Sequence, residues 1–151
     1  NQKLKKVFEI VTIKQVRRAI PGLSYNDYTI RSPHDAGVLA MEMIGTEDRE
    51  VFLVICLSTK NKINAVHRAH VGSLNSSVVH AREVFKSEIL NNSASIIVAH
   101  NHPSMDTTAS KEDIDVTKRL IEAGKYIGID VLDHLIVAEN TFSSLKEKGY
   151  I

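Results

Sequence analysis

A chain of 151 residues, 43% of them apolar, can bury one full core but leaves no room for a second large module. Nineteen Lys and Arg against eighteen Asp and Glu give a formal charge of +1, which argues against a strongly basic nucleic-acid binder and against an acidic tail, so any functional charge must be local. The single cysteine, Cys56, excludes an internal disulfide and a thiolate cluster for structural zinc. No apolar run reaches the roughly 20 residues that span a bilayer, and none near Asn1 resembles a signal peptide, so the expected setting is cytoplasmic, without membrane attachment.

The first visible asymmetry lies at the start, where Lys3, Lys5, Lys6, Lys14, Arg17 and Arg18 face only Glu9. Residues 7–16 are β-rich and partly alternating, and Pro21-Gly22 ends them. They predict a strand, either a solvated edge guarded by lysines or a weak nucleic-acid contact. The chain does not begin with Met and is expected to be a piece of a longer protein, with residues 1–31 an extension and 32–151 the core.

Ser32-Pro33 supplies an N-cap and a first-turn proline, opening an amphipathic helix that offers Val38, Leu39, Met41 and Met43 to the core and closes at Gly45. Residues 51–57 form a continuous aliphatic run suited to a central strand buried on both faces, in which Cys56 is a small core residue. The polar loop 58–62 leads to a second strand over 63–71, and 72–77 is loop. Residues 81–91 predict a helix burying Val84, Phe85, Ile89 and Leu90; 95–99 predict another buried strand, running into His100. After a loop from 101 to 109, a helix is expected over 111 to about 123, with Ile114, Thr117, Leu120 and Ile121 on one face and Gly124 as its C-cap. A last strand over 129–137 and a short helix over 141–148 complete the order β, α, β, β, α, β, α, β. That order predicts an α/β fold, a mixed sheet flanked by helices.

His100 and His102 stand two apart at a strand end, where side chains at i and i+2 share a face and can converge on one metal ion. Imidazole suits zinc, and Pro103 turns the chain away at the sheet end. Asp113 offers a third ligand from the first turn of the following helix; Asp106, in the loop, competes for that role. Two histidines and one carboxylate leave an open fourth position, as in a catalytic rather than a structural zinc site, where the ion lowers the pKa of water towards about 7 and polarises a carbonyl. Ser110 could donate to a developing oxyanion there. Ser110-Lys111-Glu112-Asp113 also fits a capping box without chemical meaning, and only the joint pattern of His-x-His-Pro followed by Ser-x-x-Asp is specific. His67, His70 and His80 have no spacing that adds to this group.

His100-Asn101-His102-Pro103-Ser104, followed by Ser110 and Asp113, resembles the JAMM metal motif as carried by RadC-like proteins of the JAB/MPN class. Supporting matches run from about Ser32 to Leu145, among them Gly72, Arg82-Glu83-Val84-Phe85, Thr117 and Leu132-Asp133-His134-Leu135-Ile136-Val137, roughly three quarters of the chain. Two departures fall in the loop between the ligands: Met105 where the family usually has glycine and Ala109 where it usually has proline. Nothing before Ser32 resembles the helix-hairpin-helix region of full-length RadC proteins.

The resemblance implies a cytidine-deaminase-like α/β sandwich, one zinc per chain on His100, His102 and Asp113, and Glu50 as the general base, ahead of its neighbours Glu42, Glu47 and Asp48. It also implies amide hydrolysis, of peptide or isopeptide bonds in a protein or peptide substrate. The competing readings are a metal-dependent nuclease or phosphoesterase, disfavoured by the lack of a second carboxylate cluster, and a DNA-repair-associated accessory module with the metal in a structural role. Asp133-His134 is expected to be either a pair that supports the metal ligands from behind or a buried structural couple, with the structural role favoured. The sequence assigns no oligomeric state.

Overall fold

The computed structural model describes residues 9–19, 28–74 and 79–151. Its elements are α1 (Pro33–Ile44), β1 (Val51–Leu57), β2 (Ile63–Val71), α2 (Ala81–Val84), α3 (Lys86–Leu90), β3 (Ser95–Asn101), α4 (Lys111–Ile127), β4 (Asp130–Val137) and β5 (Phe142–Ser144). The strands form one mixed sheet in the order β2-β1-β3-β4-β5, antiparallel except for the β3/β4 pair. Parallel neighbours need a crossover, and α4 provides it. Among the described residues no helix is long and apolar enough to cross a membrane.

Every residue of β1 and β3 is buried, as expected of strands covered on both faces. The period-2 alternation of a strand sorts their side chains into two cores. Leu53, Ile55, Leu57, Ile97 and Ala99 pack with Leu39, Ala40 and Ile44 of α1. Phe52, Val54, Cys56, Ile96 and Val98 pack with Val84 and Phe85 and with Val116 and Leu120 of α4. Ile30 is buried against the α1 side, so the packed core begins before α1.

Residues 9–19 are exposed and lie in no strand; among the described residues the edge of the sheet is β2, and a β-prone segment without a backbone partner there gains nothing from its pattern. The rest of that expected strand, at Val7 and Phe8, falls outside the described residues. In α1 the inward face is Ala36, Leu39, Ala40 and Ile44, which leaves Val38 exposed and Met41 and Met43 half-buried. The helix expected over 81–91 breaks at Phe85 into two short pieces, and the turn that follows points Ser87 and Glu88 inward and Ile89 out.

Helix α4 runs past Gly124 to Ile127 and is capped by Gly128, which takes the left-handed conformation at φ 84°. Gly124 serves packing instead: a Cβ there would sit 2.3 Å from the Ile129 carbonyl oxygen. Val116 joins Thr117 and Leu120 on the inner face, with Ile114 and Ile121 at its margins. The terminal helix expected over 141–148 is absent; β5 pairs with β4 there, and the Ser144 hydroxyl donates to Asp133 Oδ2 at 2.5 Å.

Glu88 is fully buried beside Cys56, whose Sγ lies 3.2 Å from Oε1, while Oε2 has no hydrogen-bond partner among the described residues. Burial raises its carboxyl above the ordinary value of 4.5. A group with a raised folded-state pKa contributes stability that is fully present below the unfolded value and lost as pH rises through the folded one. Wild type is therefore expected to lose urea stability relative to Glu88→Gln as pH rises above the ordinary value of 4.5. Parallel pH dependence in the two proteins would show that Glu88 is not held neutral by the fold.

Candidate metal centre

Strand parity carries His100 to the same side as Ile96 and Val98, under α4, and sends Asn101 to the α1 side. His102 follows just past the end of β3, held by its N–H donating to the Val137 carbonyl at 3.0 Å. Asp113 approaches from the N-terminal turn of α4. His100 Nε2 lies 2.8 Å from His102 Nε2 and 3.1 Å from Asp113 Oδ1, and His102 Nε2 lies 3.3 Å from Asp113 Oδ2. These three side chains form the one group among the described residues with the donors and spacing to hold a metal ion. His100 and Asp113 are buried, and His102 is 15% exposed.

The chemistry of the donors asks for a cation. His102 Nδ1 lies 2.7 Å from the Asp106 carbonyl oxygen, which can only accept, so Nδ1 carries the proton and Nε2 presents a lone pair. That lone pair meets His100 and a carboxylate that is itself acceptor-only. Burial alone would raise Asp113, but hydrogen bonds from His100 and His102, donated once an imidazole takes up a proton at Nε2, outweigh it and hold the carboxyl well below the usual range. The same contact with Asp113 pushes His102 above the ordinary histidine value, against burial. A protonated imidazole or a metal ion satisfies such a cluster, and two imidazoles with one carboxylate match zinc chemistry.

The capping box and the candidate ligand prove to be one device. Ser110 Oγ accepts from Asp113 N at 3.0 Å, while Ser110 N donates to Asp113 Oδ2 at 2.8 Å. Capping thus orients the carboxylate, whose charge also suits the positive end of the helix dipole. Asp106 turns its own carboxylate to Thr108 N at 3.0 Å and meets the cluster only through its backbone oxygen. Asp113→Ala is accordingly expected to weaken zinc binding more than Asp106→Ala, with about 1 kcal/mol of helix destabilisation from the lost cap. Competition titration against a chelator decides it, and a more damaging Asp106→Ala would reverse the assignment.

Glu50 lines the cleft of about 380 Å³ that His102, Ser110 and Asp113 also line. Its Oε2 accepts from Leu74 N at 2.8 Å, a bond that ties the end of β2 to the site. Glu47 is instead paired with Arg68 at 2.9 Å, and Asp48 with Arg49 at the surface. Asn101 was given no part by sequence reasoning, yet it fixes this corner. Its Oδ1 accepts from Val51 N at 2.7 Å, and its Nδ2 donates to the Glu47 and Arg49 carbonyls at 3.3 and 3.0 Å. The available signal was parity: a polar residue between two histidines at a strand end must face the opposite core.

Met105 has φ 68°, a conformation glycine adopts freely, so this loop keeps its left-handed turn with a side chain in place. The expected Asp133-His134 couple comes apart. Asp133 accepts from His134 N, Lys146 N and Ser144 and so secures β5, whereas the His134 ring turns to the metal-binding group. His134 Nε2 lies 2.7 Å from His100 Nδ1, and its Nδ1 meets Thr117 Oγ1. Burial, and then the neighbouring His100, hold His134 well below the usual histidine range.

The family model described as RadC-like JAB domain matches residues 30–150. A UPF0758 protein of Geobacillus sp. (strain WCH70) is 52% identical over 149 residues, covering 97% of this chain and 65% of its own length. A UPF0758 protein of Geobacillus thermodenitrificans is 50% identical with the same coverage. One of Desulforamulus reducens is 57% identical over 122 residues, 81% of this chain and 54% of its own length. The chain thus spans just under two thirds of these first two relatives.

Proposed function

This chain belongs to the RadC-like JAB domain family, and from that premise we propose that it is a zinc-dependent hydrolase of amide bonds, in peptides or isopeptides, with one zinc on His100, His102 and Asp113. In this reading residues 32–151 form the metal-binding core and the residues before them an extension. The observation that carries it is the convergence of two imidazoles and a buried carboxylate, of which His102 and Asp113 line the same cleft as Glu50. Bound there, the ion would lower the pKa of water towards about 7 and polarise a carbonyl.

The chain's own groups supply the rest. Glu50, steadied by Leu74 N, takes the proton of the attacking water as the new C–O bond forms, and returns it to the amine nitrogen as the C–N bond breaks. The Ser110 hydroxyl accepts from Asp113 N, which leaves its own proton free to donate to the developing oxyanion. Asn101 holds the backbone on either side of Glu50 and so keeps the base at the cleft.

Incubating the zinc-loaded protein with a mixed peptide library, followed by mass spectrometry, tests the reaction class. New termini are expected that vanish with a chelator and return with zinc. Cleavage of phosphodiesters with no peptide turnover would overturn the amide reading.

A further inference from the structure

Thr117 and His134 belong to no ligand set, yet they complete a chain of hydrogen bonds from the Asp113 backbone to His100. The chain begins at the Asp113 carbonyl, to which the Thr117 hydroxyl donates at 2.6 Å. A carbonyl cannot donate and threonine has one hydroxyl proton, so that proton is committed. Thr117 Oγ1 can therefore only accept from His134, which puts the ring proton on His134 Nδ1. His134 is fully buried, stacks edge-on against Phe52 at 5.7 Å between centroids, and meets no carboxylate at either nitrogen. Its Nε2 is then a bare acceptor facing His100 Nδ1 at 2.7 Å. His100 must donate there, and its Nε2 lone pair points at Asp113 and His102.

We infer that Thr117 and His134 are positioning residues that set the tautomer of His100, so that the backbone carbonyl of Asp113 dictates how a ligand on the opposite side of the site presents itself. The inference rests on the zinc reading above. It adds that Asp113 acts twice, by its carboxylate at the site and by its carbonyl through the relay. His102 receives the matching instruction from the Asp106 carbonyl, so each imidazole is oriented by an acceptor-only backbone group.

Thr117→Val is the decisive variant, because it keeps the shape and removes the hydroxyl. His134 then has nothing to donate to through Nδ1. The alternative tautomer, protonated on Nε2, turns a donor towards His100 and drives its proton to the metal side. Thr117→Ser restores the hydroxyl and serves as the rescue. Imidazole ¹⁵N NMR on the full chain, with and without Zn²⁺, should find His134 protonated on Nδ1 in wild type and Thr117→Ser, and shifted towards Nε2 in metal-free Thr117→Val. Zn²⁺ affinity should fall about 10–100-fold in Thr117→Val, the range typical of groups that orient a ligand, and stay near wild type in Thr117→Ser. Urea denaturation of each metal-free variant separates this from a loss of fold. His134 protonated on Nε2 in wild type, or an unchanged tautomer and zinc affinity in Thr117→Val, would overturn the relay. Failure of wild type to bind zinc would instead sink the hydrolase reading, since the tautomers are still read in the metal-free protein.

Discussion

Glu50→Gln is expected to lower hydrolytic turnover by about 10²–10⁴-fold, the usual contribution of a general acid–base group, while zinc occupancy stays at the wild-type level. Glutamine keeps the size of the side chain and an oxygen that can still accept from Leu74 N, so the end of β2 remains tied to the cleft. What disappears is the basic carboxylate. Glu50 is not among the three side chains that converge, which is why metal and activity should separate in this variant. Loss of zinc would make Glu50 a ligand and the site closed, in favour of a structural metal. Full turnover with metal retained would place the base elsewhere, and Glu47, held by Arg68, would have to leave that ion pair to serve.

Removing an imidazole should have the opposite signature. His100→Ala and His102→Ala are each expected to weaken zinc binding by more than the roughly 10–100-fold typical of losing a group that only orients a ligand, and the double variant should hold none. The two singles differ in their side effects. His100 is completely buried between His102 and His134, so its removal also leaves a cavity and an unpaired His134. His102 is partly exposed, which makes His102→Ala the cleaner test of coordination. Binding that survives in the double variant, read by competition with a chelator, would move the metal away from this group.

The parts of the fold that could be read in advance are those where one residue pattern admits one partner. The wholly apolar run of β1 suits a covered central strand, and His-x-His at the end of a strand presents both rings to one face. Asp113 was found because a helix start after a turn returns the chain to the strand it left. The failures arose where tertiary pairing decides. Residues 9–16 have strand-like composition but form no strand pairing among the described residues, where Gln15 meets Asn91 by its side chain alone, and Phe142–Ser144 became a strand because β4 offered an edge and Asp133 a hydroxyl acceptor. Helix α4 ignored Gly124 because close approach to Ile129, not conformational freedom, is what that glycine provides.

Within the site, competing roles assigned to one residue turned out to coexist. Ser110 and Asp113 form a capping box, and the same two hydrogen bonds aim the carboxylate. Asn101 and Thr117 escaped a functional reading because their work lies in backbone carbonyls and N–H groups that no side-chain motif records. Met105 shows the converse: its sequence change from the family's usual glycine left the positive φ of the turn in place.

Elemental analysis of the purified full chain, incubated with zinc and then dialysed, bears most directly on the claim that His100, His102 and Asp113 form one metal centre. Wild type is expected to retain close to one zinc per chain and His102→Ala far less under the same dialysis. A wild-type chain that holds none, or a His102→Ala chain that holds as much as wild type, would contradict it.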